Sequence, residues 1–140
     1  MSLYLDTSVL VALIIPEPLT DHADRLIASN REPLLVSDLA SAEFSSAISR
    51  RVRIGESTFE EARSDLSDFD TWLIRFAQRV EIGAADVAVA TAFLRRLDLP
   101  LLTPDAIHIA ITQRLNAMLV TFDRQMATSA RALGTAVATP

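Results

Sequence analysis

Short apolar runs alternate with longer segments of helical periodicity along this chain. The clearest runs cover residues 3–5, 34–36 and 118–121, and each is followed by polar residues that can begin a helix. Strands that alternate with helices in this way form parallel sheets, joined by right-handed crossovers. The alternation therefore predicts an α/β fold in which a mostly parallel central sheet lies between two layers of helices.

The remaining elements follow from periodicity and from helix-end signals. A third strand is expected at residues 80–82, and residues 136–138 are compatible with an edge strand. The segment 57–60 has the form of a capping box and opens a helix whose apolar stripe contains Phe69 and Phe76. Thr103 is expected to be the N-cap of a later helix, with Pro104 at its first position. Helical spacing predicts the other helices over residues 8–15, 19–30, 38–54, 84–97 and 103–115, and a last one that ends at Leu133.

The composition limits the chemistry that the chain can perform. With 140 residues and an apolar share of 50%, residues 1–140 are expected to form one domain with a substantial core. The absence of cysteine excludes disulfides, thiolate zinc sites and thiol catalysis, so any metal must be held by oxygen or histidine. No segment has the form of a signal peptide or a membrane span, and a cytoplasmic location without a membrane partner is expected.

All the positive side-chain charge of this acidic chain is carried by arginine. The net charge is −5, and the 13 basic residues include no lysine. An acidic total argues against nucleic-acid binding through bulk charge, but a local arginine patch is still compatible with it. The densest cluster is Arg50, Arg51 and Arg53, which also fits a solvated helix end. Arg50 and Arg51 are the candidates for contacts with a phosphate backbone.

Four acidic residues are expected to meet at one edge of the sheet. Asp6 and Asp123 each follow a predicted strand, and the carboxyl ends of parallel strands open on one edge, where ligands bind. Asp105 begins a helix after a short connector, and Glu43 lies about two turns into a helix that starts at the same edge. The three aspartates could instead act only as helix caps or first-turn charges. Glu43 lies among small and apolar residues and needs a partner, for which an arginine would serve.

A cluster of acids makes physical sense only with a compensating cation, since carboxylates that share a site repel one another. Carboxylate, hydroxyl and water oxygens are the ligands that Mg²⁺ and Mn²⁺ prefer. Such ions can activate water for in-line hydrolysis of a phosphodiester. Thr7, Ser8 and Thr121 are cap or turn residues by default, but their hydroxyls could equally orient an acid in such a site.

His108 is a further polar candidate near this cluster. It lies three residues after Asp105, so the two side chains project from one face of the helix. An acid–base role is open to it. Because the chain's other histidine, His22, belongs to a different helix, a packing or hydrogen-bonding role is open as well.

The pattern resembles the PIN-domain ribonucleases, and among them the VapC-type toxins of bacterial type II toxin–antitoxin modules. Four motifs carry the resemblance: Tyr4-Leu5-Asp6-Thr7-Ser8, Glu43 in the helix after the second strand, the segment Leu-Thr-Pro-Asp-Ala-Ile-His-Ile-Ala at residues 102–110, and Thr121-Phe122-Asp123. Each motif is weak alone, but their order and spacing agree along essentially the whole chain. Met126 departs from the pattern, since an aromatic residue is common there.

This resemblance implies a PIN-like three-layer α/β/α sandwich with the activity of a metal-dependent endoribonuclease. Asp6, Glu43, Asp105 and Asp123 would be the catalytic acids that bind Mg²⁺ or Mn²⁺, with Ser8 and Thr121 as supporting hydroxyls. Metal-activated water would cleave the RNA. The implied partners are the RNA substrate, a second copy of the chain in a homodimer, and a cognate VapB-type antitoxin whose basic tail enters the acidic groove.

Two other functions fit parts of the pattern. A haloacid-dehalogenase-like phosphatase also begins with a strand that ends in Asp. That chemistry uses a second acid two residues later, where this chain has Ser8, and a lysine, which this chain lacks. The other alternative is a catalytically silent PIN-like module that binds RNA or a protein. The presence of all four acids favours the nuclease over the silent module.

Overall fold

A five-stranded parallel sheet forms the centre of the computed structural model, which describes residues 1–139. Its strand order is β3-β2-β1-β4-β5, and every neighbouring pair is parallel. The strands are β1 (Leu3–Leu5), β2 (Leu34–Ser37), β3 (Ala77–Val80), β4 (Met118–Val120) and β5 (Val137–Ala138). The predicted α/β fold with a parallel sheet is therefore confirmed.

Helices connect successive strands, as parallel pairing requires. Within residues 1–139, no helix is long and apolar enough to cross a membrane. The helices are α1 (Thr7–Ile14), α2 (Thr20–Ser29), α3 (Asp38–Arg53), α4 (Phe59–Phe76), α5 (Ala84–Leu94), α6 (Thr103–Arg114) and α7 (Arg124–Ala132).

The side chains of the central strands alternate between two cores, one on each face of the sheet. Leu3 and Leu5 belong to the core that α1, α3 and α4 complete. In this core the rings of Phe44 and Phe69 stack with centroids 4.2 Å apart. Tyr4 and Leu119 belong to the opposite core, which α6 and α7 complete. Because successive side chains of a strand point to opposite faces, this alternation produces the three-layer sandwich.

The strand order reverses beside β1. From β1 the chain moves outward through β2 to β3, and it then returns to the other side of β1 to form β4 and β5. In open α/β sheets the crevice at the carboxyl ends of the strands, at such a switch point, is where ligands bind. The residues that follow β1 and β4 are Asp6 and Thr121, so the predicted site lies at this position.

Several predicted boundaries were wrong. The third strand is Ala77–Val80 rather than 80–82, because this edge strand exposes Gln78 and Arg79 and lacks the apolar signal of a buried strand. Ile82, which the prediction included, lies outside the strand and is 38% exposed.

Helix ends also differ from the prediction in detail. Helix α4 begins after Thr58, whose hydroxyl accepts a hydrogen bond from the Glu61 amide, so the capping residue is one position later than the predicted Ser57. Helix α6 has Leu102 as its N-cap, and Thr103 is its first residue. Helix α5 ends at Leu94 rather than at residue 97. The predicted core residue Phe76 is 57% exposed, because it is the last residue of α4.

Candidate active site

Asp6 occupies the point where β1 passes into α1. It is only 3% exposed, and its carboxylate accepts three hydrogen bonds. Oδ1 accepts from the Val9 amide at 3.2 Å and from the Ser8 hydroxyl at 2.6 Å, and Oδ2 accepts from the Thr121 hydroxyl at 2.6 Å. Burial raises the pKa of the Asp6 carboxyl above its ordinary value, and these hydrogen bonds oppose the shift only in part. Asp6 is thus the N-cap of α1 and also a buried acid at the switch point.

Glu43 projects from the second turn of α3 and is half-buried. Its Oε1 accepts hydrogen bonds from the Thr7 hydroxyl, at 3.0 Å, and from Nε2 of His108. Burial alone would raise the pKa of the Glu43 carboxyl, but the bonds from His108 and Thr7 outweigh burial and lower it. The partner of Glu43 is therefore a histidine and a threonine, rather than the arginine that the sequence suggested.

Asp105 and Asp123 both lie at helix starts. Asp105 is the third residue of α6 and accepts from the Leu102 amide at 3.3 Å. Asp123 is the N-cap of α7 and accepts from the Met126 amide at 2.9 Å. Burial raises the pKa of Asp105, the Leu102 amide opposes this, and the negative charges of Asp123 and Glu43 raise it further. Asp105 and Asp123 therefore bind amides at helix starts, and they also lie close enough to interact electrostatically.

The four predicted acids line one shallow depression. Its volume is about 150 Å³, which is room for a cation and a few water molecules rather than a nucleotide. The lining residues are Asp6, Thr7, Ser8, Glu43, Asp105, His108, Asp123 and Met126. Acids that are as far apart in the sequence as Asp6 and Asp123 meet here because the carboxyl ends of β1 and β4 are adjacent.

Two hydroxyls link the β1 and β4 sides of this depression. Thr121 is fully buried, and its hydroxyl donates to Asp6 while accepting from the Asp123 amide at 2.9 Å. Ser8 likewise donates to Asp6 and accepts from the Phe122 amide at 3.0 Å. Each hydroxyl therefore ties Asp6 to the segment that carries Asp123.

The donor set suits a hard divalent cation. Carboxylate oxygens dominate it, and within residues 1–139 no arginine forms an ion pair with any of the four acids. In the described part of the chain, however, no group of three or more His, Cys, Asp or Glu side chains is already gathered closely enough to hold a metal ion. The acids thus suit such an ion in chemistry and line one depression, but their side chains would have to rotate to gather around it.

The predicted phosphate contacts Arg50 and Arg51 do not line the acidic depression. Arg50 is exposed, whereas Arg51 is half-buried and lies 3.9 Å from Glu56, with which it forms an ion pair. A separate cavity of about 480 Å³ is lined by Arg124, Thr128 and Arg131, which share one face of α7, and by Leu19, Phe122, Ala127 and Thr139. Arg124 directly follows Asp123 in the chain, although the lining of this cavity and that of the acidic depression share no residue.

Sequence reasoning did not single out Tyr4 or Ser37. The Tyr4 hydroxyl lies 2.6 Å from Oγ of Ser37 and 2.6 Å from Nδ1 of His108, and all three side chains are buried. The sequence offered one signal of such a network, a tyrosine in the middle of a predicted buried strand, because its hydroxyl needs a hydrogen-bond partner inside the protein. Its partners could not be read from the sequence.

Known proteins match this chain over nearly its whole length. The model of the PIN domain family matches residues 3–132. Ribonuclease VapC46 of Mycobacterium tuberculosis is 36% identical over 142 aligned residues, which cover 99% of this chain and 98% of that protein. The chain belongs to the PIN-domain family, in its VapC-type branch. This family assignment sets aside the dehalogenase-like phosphatase.

Solved structures agree with the fold of this VapC-type chain. VapC20 of M. tuberculosis, described as a toxin that cleaves the sarcin–ricin loop, has a TM-score of 0.77 and 20% identity, with 99% of each chain covered. VapBC2 of Rickettsia felis, bound to a DNA fragment from its promoter, has a TM-score of 0.72 and 17% identity, with 99% of this chain and 98% of that chain covered. At these identities the likeness shows the PIN fold.

Proposed function

We propose that this VapC-type protein is an endoribonuclease that requires Mg²⁺ or Mn²⁺, and that it is the toxin of a toxin–antitoxin pair. The observation that carries the proposal is the convergence of Asp6, Glu43, Asp105 and Asp123 on one depression at the switch point of the sheet. The relative with 36% identity, which is named a ribonuclease, supports the same activity.

The chain's own hydroxyls orient two of these acids, Asp6 and Glu43. Asp6, Glu43, Asp105 and Asp123 would hold the cation, which when bound supplies water activation and charge neutralisation at the scissile phosphodiester. Ser8 and Thr121 together hold both oxygens of Asp6, and Thr7 holds one oxygen of Glu43. Hydrogen bonds of this kind reduce the reorganisation that the acids need when a ligand binds.

Contacts with the RNA backbone fall to arginines, because the chain has no lysine. Arg124 and Arg131 are the better-placed pair, since they line one cavity, are about 10 Å apart along α7, and lie on the helix that Asp123 caps. Neither forms an ion pair or a side-chain hydrogen bond within residues 1–139, so both charges are available to phosphates. Arg50 and Arg51 remain proposed contacts for a more distant part of the strand.

The proposed partners follow from the acidic character of the site. A VapB-type antitoxin with a basic tail would be attracted to four clustered carboxylates. The VapBC2 structure of Rickettsia felis, which is similar in fold, supports a VapBC-type partnership. We further propose that the protein is a homodimer and acts in the cytoplasm.

Cleavage of RNA by purified protein tests the catalytic proposal. Wild-type protein is expected to cleave cellular RNA with Mg²⁺ or Mn²⁺ and to stop when EDTA is added. Asp6→Asn and Glu43→Gln should each reduce the rate at least about a hundredfold, because each removes a proposed cation ligand. Asp21→Asn is the matched control, since Asp21 is an exposed acid in the first turn of α2, and its rate should equal that of wild type.

The outcomes separate the two candidate functions. Metal-independent cleavage, or wild-type rates for Asp6→Asn under metal control, would contradict the assigned site. RNA binding without cleavage under any divalent cation would point instead to the catalytically silent module. Sequencing of cleavage sites after induced expression would then identify the RNA target, and an unaffected growth rate with active enzyme would count against a toxin.

A further inference from the structure

A buried chain of hydrogen bonds lies behind the acid cluster. Ser37, Tyr4 and His108 are at most 2% exposed, and they connect in that order to Glu43. The Tyr4 hydroxyl is 2.6 Å from both Oγ of Ser37 and Nδ1 of His108, and Nε2 of His108 contacts Oε1 of Glu43. The chain thus runs from the end of β2, across β1 and α6, to a proposed cation ligand on α3.

The available hydrogens fix the direction of the bond at the Glu43 end of this chain. A carboxylate can only accept, so Nε2 of His108 must carry a hydrogen. If the ring is neutral, Nδ1 is an acceptor, and the Tyr4 O–H donates to it. The Tyr4 oxygen then accepts from the Ser37 O–H, and the Ser37 oxygen accepts from the Ala40 amide at 3.1 Å. Every hydrogen in the chain has an acceptor in this arrangement.

A second hydrogen on the ring, at Nδ1, would reverse only the other bonds of the chain. The Tyr4 O–H would then donate to Ser37, and the Ser37 O–H would have no acceptor among the described residues. Burial raises the pKa of Tyr4, so the phenol keeps its hydrogen in either arrangement. In both arrangements Nε2 of His108 donates to Glu43, so the end of the chain that reaches the acid cluster has one direction.

We propose that Tyr4 and His108 are positioning residues that orient Glu43 through this chain of hydrogen bonds. Nε2 of His108 and the Thr7 hydroxyl both donate to Oε1 of Glu43. The other oxygen, Oε2, has no hydrogen-bond partner within residues 1–139 and is left for a cation. This inference rests on the proposed function, because it assigns Glu43 to the site of a divalent ion.

Tyr4 contributes at a distance from the depression, because its hydroxyl contacts Nδ1 of His108 and so holds the ring that binds Glu43. It is therefore expected to influence cation affinity although it does not line the site.

The state of the ring can be measured in metal-free protein by ¹⁵N NMR. The chain has two histidines, so His22→Gln assigns the spectrum. His108 should show a protonated Nε2, and Tyr4→Phe should shift the Nδ1 resonance by removing its hydrogen-bond partner. An unprotonated Nε2 in wild type, or an Nδ1 resonance unchanged in Tyr4→Phe, would overturn the proposed chain.

Mn²⁺ affinity, measured by calorimetry on correctly folded protein, tests the positioning role. His108→Leu removes the donor and should weaken Mn²⁺ binding about 10- to 100-fold, the usual effect of losing an outer hydrogen-bond partner. His108→Gln keeps an N–H donor and should recover most of the affinity, and Tyr4→Phe should cause a smaller loss. His22→Gln is the control and should bind as wild type. If His108→Leu does not fold, the Mn²⁺ affinities of His108→Gln and Tyr4→Phe are compared with that of wild type instead.

Different results reject different proposals. If wild type binds Mn²⁺ and cleaves RNA while the folded Tyr4 and His108 variants bind Mn²⁺ equally well, the positioning role is wrong and the proposed function stands. Lower melting temperatures with unchanged Mn²⁺ affinity would show that the chain only supports the fold. If wild type neither binds Mn²⁺ nor cleaves RNA, the proposed function fails and the positioning role fails with it.

Discussion

Asp6 has two roles with opposite effects on the free energy of unfolding. As an N-cap it satisfies the Val9 amide, but as a buried carboxylate it lacks an ion-pair partner within the described residues. Because the pKa of Asp6 is raised in the folded protein, the folded state binds this proton more tightly than the unfolded state does. The free energy of unfolding therefore falls as pH rises through the folded pKa, and the full penalty is present above it.

Asp6→Asn is accordingly expected to stabilise the metal-free protein while abolishing cleavage. Asparagine keeps the oxygen that caps the Val9 amide and carries no charge to bury, and this gain exceeds the loss of the acceptor that Oδ2 offers to the Thr121 hydroxyl. We expect a gain of about 1 kcal/mol at pH 7, or roughly 3 °C in melting temperature for a chain of this size. Thermal melts in EDTA check this, and the difference should shrink as pH falls through the raised pKa. A variant less stable than wild type without metal would contradict the account.

At the scale of elements, one ion pair joins the start of α5 to the end of α6. Asp86 is 2% exposed and receives both Nε and Nη2 of Arg114, at 2.7 and 3.0 Å, together with the Gly83 amide at 2.8 Å. Burial would raise the pKa of Asp86, but the bonds from Arg114 and Gly83 outweigh it and lower the pKa. The helices between these ends pack through small side chains, including Ala90, Ala106 and Ala110. The pair therefore stabilises the helix that carries Asp105 and His108.

Asp86→Asn should lower the free energy of unfolding by about 2 kcal/mol at pH 7, since it leaves a buried polar group and its arginine poorly paired. Because the pKa of Asp86 is lowered in the folded protein, its ionised carboxylate stabilises the folded state above the unfolded pKa of about 3.9. This stabilisation is lost as pH falls through the folded pKa. The difference between wild type and variant should thus shrink below about pH 4 in urea titrations. Asp38→Asn is the control, because its pair with Arg79 is exposed and should contribute far less to stability. Equal losses for the two variants would argue against the role of burial.

At the scale of the whole molecule, the protein is acidic but has a small positive surface on α7. The net charge is −5 and four acids line the depression, whereas Arg124 and Arg131 line a separate cavity. Repulsion from the acids would weaken RNA binding unless a nearby cationic strip offset it. The placement of these two arginines on one helix face supplies such a strip.

The double variant R124A/R131A should therefore weaken binding of a single-stranded RNA more than R50A/R51A does. If each arginine neutralises one phosphate, the slope of log affinity against log salt should fall by about 1.4. Fluorescence anisotropy in EDTA, where no cleavage is expected, measures both quantities. R63A/R75A, which removes two exposed arginines of α4, is the control for lost net charge. A larger loss in R50A/R51A would place the RNA on the α3 side instead.

Local patterns in the sequence determined much of this protein. The apolar runs located β1, β2 and β4 because buried parallel strands read as continuous apolar segments. The acids that follow two of them, and the helix-start signals around Asp105, indicated which edge of the sheet would be acidic. The edge strand β3 was misplaced, because its exposed side chains erase that signal.

Only the tertiary structure decided how these local elements meet. The contact between His108 and Glu43 joins residues 65 apart in the sequence, and that between Tyr4 and His108 joins residues 104 apart. Such contacts depend on the strand order, which brings β4 back beside β1, and on which face of the sheet each helix covers. Periodicity and capping act over a few residues, so they can place an acid at a strand end, but they cannot specify the buried partner that orients it.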